Sequence, residues 1–430
     1  MSQLLFKQGR LIDPANGVDK VCDVLVTGKK ISLIANEING ASEATVIDAT
    51  DKWILPGVVD LGAYIRHQER KATVETESVA AAQAGITRLC CMPEYDKPTY
   101  STAEVNLIQE KATRIGNVWF EVIGGMTVGL QGEQLTNMGG LKKAGCVAVS
   151  QGHHKFASLD VMRKAMEYAK TAKLKLFLHP LEYGLIGNGC VHEGAIATRV
   201  GLPGIPVAAE TVALSQILLL AKETQSSIHF CRLSSAAGVE LVRDAKAQGL
   251  AVTADVAAHQ LHLTEYDIKD YNPLCHVTPP LRSEADRDAL RQAVADGVID
   301  AVCSDHQPHD IDAKLAPFQE SSPGISGLET LLPLTMKLVN EGALTLEQAI
   351  GSLSFRAAQI IDKPVGSLAE GSYADMLVYD PQQTWTLDPE AMLSNGKNTP
   401  FGGWEFSGKV AQTYTRGKRA DINVVDGEGV

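Results

Sequence analysis

The sequence predicts an α/β chain folded as a (β/α)8 TIM barrel, with a small β-sandwich domain built from both chain ends. Three observations carry the prediction. Eight short apolar runs alternate with helical stretches through the middle of the chain, both ends show strands punctuated by turns, and several central runs finish on polar or ionisable residues. Strands buried on both faces by flanking helices read as continuous apolar runs, and in barrels of this kind functional side chains sit where strands end.

Taken in order, the N-terminal segment has short runs at 4–6 and 23–26, with turns at Asp13, Pro14 and Gly17 and again at Gly28. Period-two texture between turn residues predicts small antiparallel strands. The C-terminal end repeats it at 374–379 and 408–418, so residues 1–53 and 363–430 are assigned to one β domain. Residues 54–362 are assigned to the barrel, its strands expected at 54–60, 87–92, 120–123, 146–149, 175–179, 227–230, 251–256 and 299–305. Helical stretches at 159–172 and 236–248 carry apolar residues at three and four spacing. The strand ends present Asp60, Glu94, Ser150 and Gln151, His179, His229 to Arg232, and Ser304 to His306.

Composition limits the function classes. The 430 residues are 45% hydrophobic and 21% charged, which suits a globular protein with a large core and argues against disorder. A net charge of −12 makes nucleic acid an unexpected partner, because the overall field repels phosphate. The eight cysteines lack CxxC spacing and fall mostly in apolar runs, so they read as reduced core thiols. No stretch approaches the roughly 18 apolar residues of a spanning helix, and no apolar leader precedes Lys29. A cytoplasmic protein without a membrane segment is expected.

Several stretches resemble the dihydroorotases, a family of the amidohydrolase superfamily of metal-dependent barrels. They are Leu55-Pro56-Gly57-Val58-Val59-Asp60, Cys91-Met92-Pro93, Gly201-Leu202-Pro203-Gly204-Ile205-Pro206, Thr278-Pro279-Pro280-Leu281-Arg282, Asp305-His306-Gln307-Pro308-His309 and Gly327-Leu328-Glu329-Thr330. They run nearly end to end and in the family's order. The resemblance implies a zinc site at the barrel mouth, and there the sequence departs from the pattern. Where the family has Asp-x-His-x-His-x-Arg, this chain has Gly62 and Tyr64 in place of the histidines. Glycine offers no ligand atom, and a phenol replaces imidazole poorly. Gln151 stands where a zinc-binding aspartate is implied, and Arg232 where a histidine is implied. A permanent cation at a ligand position repels a divalent metal. Glu94 replaces the substrate-gripping asparagine of Met-Pro-Asn and sets a negative charge against an anionic substrate.

The remaining positions are vestigial: Arg66 at the implied substrate-carboxylate position, His179, Asp305 at the implied catalytic-aspartate position, and His309. Catalytic zinc takes three protein ligands, and His179 with Asp305 supplies two, so no metal, no other cofactor and no catalytic residue is expected. Asp305 is expected to pair with Arg232, and His229 to be a satisfied barrel histidine. His259 and His262 are expected to line the mouth without chemistry. His67, His153 and His154 fall in mouth loops, but adjacent histidines on an extended chain point apart and chelate weakly. The resemblance is strongest to the non-catalytic dihydroorotase-like subunits of bacterial aspartate carbamoyltransferase. It implies the transferase catalytic chain as partner, within a hetero-oligomer that contains more than one copy of this chain. The alternative is a divergent cyclic amidohydrolase that binds zinc through relocated ligands among His67, His153, His154, His179 and Asp305. A sensor that holds a carboxylate on Arg66 and Arg232 is a third reading.

Overall fold

The computed structural model describes residues 2–65, 72–94 and 98–421. Strands β1 (Gln3–Asp13), β2 (Val18–Thr27) and β3 (Lys30–Ala35) form an antiparallel meander, with β4 (Thr45–Asp48) alongside β1. Strand β5 (Trp53–Pro56) runs parallel to β1. The chain then enters the barrel through β6 (Val58–Ala63), β7 (Ile86–Cys91), β8 (Trp119–Gly125), β9 (Ala148–Ser150) and β10 (Lys175–Leu178). A short parallel pair, β11 (Val191–His192) and β12 (Gly204–Ile205), stands outside it. The barrel resumes with β13 (Ile228–Phe230), β14 (Val252–Ala257) and β15 (Ala301–Cys303).

These eight strands, β6 to β10 and β13 to β15, are parallel neighbours in chain order. The ring closes at one level, where Ala63 bridges His306 and the His306 N–H donates to the Gly62 carbonyl at 3.1 Å. Helices flank the strands, including Leu159–Thr171 and Ala236–Ala247, which match the spacing read from sequence. Their apolar stripes face the sheet through Ala165, Met166 and Ala169 and through Val239, Val242 and Ala245. Serine caps start both helices, Ser158 accepting from the Val161 N–H and Ser235 from the Gly238 N–H.

The chain returns as β16 (Met376–Thr386), β17 (Glu405–Thr415) and β18 (Lys418–Arg419). Strand β16 pairs antiparallel with β5, which joins the two chain ends in one sheet over a core of Phe6, Val24, Ile54, Met376 and Tyr414. The expected strand at 54–60 is therefore two strands in two sheets. The break is at Gly57, whose N–H donates to the Asp375 carbonyl at 2.9 Å, and a side chain there would collide with Thr87. An apolar run carries no mark of which sheet its residues pair into, so 54–60 reads as one strand in the sequence. The boundary drawn before residue 54 falls inside β5.

All eight cysteines are free and buried, as read from their apolar runs. Among the described residues no helix is long and apolar enough to cross a membrane.

Candidate functional site

The mouth of the barrel, at the C-terminal ends of its strands, collects most of the residues singled out in the sequence. Gly62 ends the inward face of β6 and packs against Arg232, which follows β13. A side chain on residue 62 would have its first carbon inside the Arg232 guanidinium. Arg232 is 1% exposed. Its Nε donates to Asp305 Oδ1 at 2.9 Å and its Nη1 to Asp255 Oδ2 at 3.0 Å. The Arg232 backbone N–H donates to Asp255 Oδ1 at 2.6 Å, so one carboxylate fixes both ends of the residue. Arg232 and Asp305 both have left-handed backbone, with φ of 58° and 45°. Such conformations on non-glycine residues cost about 1–3 kcal/mol and persist where surrounding bonds over-determine them.

The Arg232–Asp305 pair expected from sequence is present. Asp255 was missed, although the signal was there: Thr253 and Asp255 are polar at alternate positions of a buried apolar strand and so share one face. Both bond His229, its Nδ1 lying 2.9 Å from Thr253 Oγ1 and its Nε2 3.0 Å from Asp255 Oδ2. His229 is thus a satisfied barrel histidine. Burial alone would raise the Asp255 carboxyl, but the Arg232 charge and the His229 bond outweigh it and hold the pKa below its ordinary value. Burial disfavours the charge on Arg232, yet Asp255 and its other anionic neighbours push the pKa well above the ordinary arginine value.

A second cluster lies beside the first. The Tyr64 hydroxyl is 3.4 Å from His153 Nδ1 and 3.5 Å from His179 Nε2, and the two imidazoles face each other with centroids 4.1 Å apart. Glu94 Oε2 lies 3.0 Å from His153 Nδ1 and Glu94 Oε1 lies 3.6 Å from His154 Nε2. The expectation that His153 and His154 point apart is corrected in part: the turn that bends the chain after Gln151, with Gly152 at φ 60°, lets one carboxylate reach both rings. Burial opposes charge on His153, but Glu94 wins by charge and hydrogen bond and raises the pKa. Burial likewise opposes charge on Glu94, and His153 overcomes it and lowers that pKa. His179 moves the other way, well below its ordinary value, through burial and then the charges of His153 and Arg232. Burial, then the Glu94 and Asp305 charges, keep the Tyr64 phenol protonated. A cleft of about 510 Å3 opens beside this cluster, with Gln151, His154, His179, Tyr183 and Gln216 among its walls.

The other positions are structurally occupied. Gln151 has both amide ends tied to one turn, accepting from Thr127 Oγ1 and donating to the Leu130 carbonyl, each at 2.9 Å. His309 Nε2 lies 2.9 Å from the Pro323 carbonyl oxygen. His259 is buried and its pKa falls to about 4, with burial the main cause. His262 departs from the mouth-lining expectation: its Nε2 bonds the Leu334 carbonyl at 2.9 Å and its ring meets Trp404 edge-on, because the turn after β14 carries it against a flanking helix. Arg66 and His67 lie outside the described residues.

Zinc of the kind the family implies does not fit this donor set. Gly62 offers no atom, Gln151 is committed on both sides, and the Arg232 cation holds the carboxylates of Asp255 and Asp305. Among the described residues His229, Cys231 and Asp255 bring potential ligand atoms within 4.8 Å of one another. That trio fits a metal poorly too. Asp255 Oδ2 already takes Arg232 and His229, and burial keeps the Cys231 thiol protonated.

A family model described as dihydro-orotase-like matches residues 51–237. The chain is 44% identical to a dihydroorotase-like protein of Pseudomonas aeruginosa, over 95% of this chain and 97% of that one. It is 38% identical to a dihydroorotase of Syntrophotalea carbinolica, over 97% and 98%. Among solved structures it superposes on the L-hydantoinase (dihydropyrimidinase) from Arthrobacter aurescens with a TM-score of 0.86, at 25% identity over 97% of this chain and 96% of that one. On fold, motif order and end-to-end similarity alike, this chain belongs to the dihydroorotase-like family.

Proposed function

We propose that this chain is a dihydroorotase-like barrel without hydrolytic activity. In this reading it serves as a structural and assembly subunit of aspartate carbamoyltransferase in pyrimidine biosynthesis, in the cytoplasm. The observation that carries the loss of activity is the Arg232 guanidinium, seated against Gly62 and bonded to both Asp255 and Asp305. It supplies, as a fixed organic cation, the positive charge that would otherwise balance those two carboxylates. Without a metal-activated water Asp305 has no nucleophile to work on, and its carboxylate is engaged in holding the arginine.

The partner comes from the resemblance to non-catalytic subunits. An obligate interface stabilises a partner by mass action whatever chemistry the barrel has lost. The mouth loops 68–76 and 310–322 are the contact surfaces of this reading. Residues 68–71 lie outside the described residues. In 310–322, Ile311 and Leu315 are 74% and 73% exposed and lie four residues apart, which supports the role.

Metal content per chain, measured by plasma mass spectrometry on protein grown with zinc and purified without chelator, tests the inactive site. Zinc near zero is expected, together with co-elution of this chain with the transferase catalytic chain on gel filtration. Zinc near one per chain with metal-dependent hydrolysis of dihydroorotate would establish the other reading, a cyclic amidohydrolase with relocated ligands. The convergence of His153, His179 and Tyr64 is the observation that favours that alternative.

A further inference from the structure

At the end of the barrel opposite the mouth, β7 and β8 begin beside the turn that links β17 to β18. A cleft of about 370 Å3 opens there, with Arg88, Gln109, Trp119, Glu121, Lys363 and Arg416 among its walls. Two cations share one carboxylate: Arg88 is bonded to Glu121, and Lys363 Nζ lies 2.9 Å from the other oxygen of Glu121. The Arg416 backbone N–H donates to Asp375 Oδ1 at 2.7 Å, which leaves its guanidinium without a carboxylate partner among the described residues. Asp375 Oδ2 is 3.8 Å from Arg88 Nη2 and has no hydrogen bond among the described residues. The Arg416 guanidinium is clamped between rings, 3.7 Å from the Trp119 centroid and 4.8 Å from that of Tyr373.

Buried N–H groups nearly always have an acceptor. Here Arg88 Nε, Trp119 Nε1 and Arg416 Nε are all buried and meet no acceptor among the described residues. The residues that carry these three donors all line one cleft, two of them with guanidinium groups and one guanidinium held by aromatic faces, which is the chemistry that binds an oxyanion. We propose that this cleft binds a small organic oxyanion, carboxylate or phosphate, with its charged end toward Arg88, Trp119 and Arg416 and its apolar part against Ala112, Val118 and Phe120. Because the walls come from barrel strands and from the chain-end sheet, the bound anion ties the two together. It is a binding site independent of the mouth.

The test uses the full chain, titrated at constant ionic strength with inorganic phosphate and separately with succinate, and followed by calorimetry and thermal unfolding. Saturable binding of at least one probe at millimolar concentration is expected, with a rise in Tm that chloride does not reproduce. Phosphate alone binding identifies a phosphorylated ligand, and succinate alone a carboxylate. Trp119→Phe retains an aromatic face for Arg416 while removing the N–H, and it weakens binding by about tenfold or more, as loss of one charge-assisted hydrogen bond does. Arg416→Gln abolishes it. Absence of saturable binding by either probe overturns the proposal. So does wild-type binding in folded Trp119→Phe protein, or binding abolished by Tyr64→Phe at the mouth.

Discussion

At the scale of single residues the mouth is organised around one substituted cation. Arg232 is buried with Asp255 and Asp305, and its removal strands two carboxylates in a low-dielectric interior. Arg232→Ala is expected to lower stability by about 3–5 kcal/mol in urea unfolding, the usual cost of leaving a buried charge unpaired. The Glu94–His153 pair gives the fold a pH signature with two limbs. Glu94 has a lowered pKa, so its contribution is present above the ordinary value of 4.5 and is lost as pH falls through the folded value. His153 has a raised pKa, so its contribution is full below the ordinary 6.5 and is lost as pH rises through the folded value. Melting temperature across pH 3–9 is expected to show both losses in the natural chain, and Glu94→Gln is expected to flatten both.

Elements of this chain are set by close approaches that leave no room for error. Gly57 separates β5 from β6, and the backbone there lies so near Thr87 that a side chain does not fit. Gly57→Ala is expected to cost about 1–3 kcal/mol by overpacking, with partial recovery when Thr87→Ala is added, both read from urea midpoints. The same logic governs the strand ends. Strand β15 stops at Cys303, which frees Ser304 to donate to Asp60 from both its N–H, at 2.8 Å, and its hydroxyl. His306 then reaches Glu77, its Nε2 2.8 Å from the carboxylate, which fastens the closing edge of the barrel to the helix Val74–Gln83.

In the whole molecule the two chain ends share one sheet, and the barrel leans on it. Leu377 and Tyr379 of β16 belong to the large core that includes barrel residues Leu89 and Val122. Thr413 of β17 donates to the Ala82 carbonyl at 2.6 Å and Thr415 to the Asn117 carbonyl at 2.7 Å. A chain cut after Tyr373 leaves β5 with an unpaired edge and this part of the core open. It is expected to lose cooperative thermal unfolding by circular dichroism and to aggregate.

How much of this was legible beforehand depends on the range of the interaction. Eight apolar runs alternating with helices were enough to name the barrel, because periodicity and strand length are local and parallel strands need crossovers. The identities of Gly62, Tyr64, Gln151 and Arg232 were likewise plain in the sequence, as was the Arg232–Asp305 pairing through the family pattern. Tertiary structure alone decided the split of the 54–60 run, the place of Asp255 beneath the guanidinium, and the gathering of Tyr64, Glu94, His153 and His179 from four separate strand ends. It also assembled Arg88, Trp119 and Arg416 into one cleft from positions up to 328 residues apart in the sequence. The reason is that hydrogen bonds and charge pairs act over a few ångströms in space, and sequence spacing measures that distance only within one element.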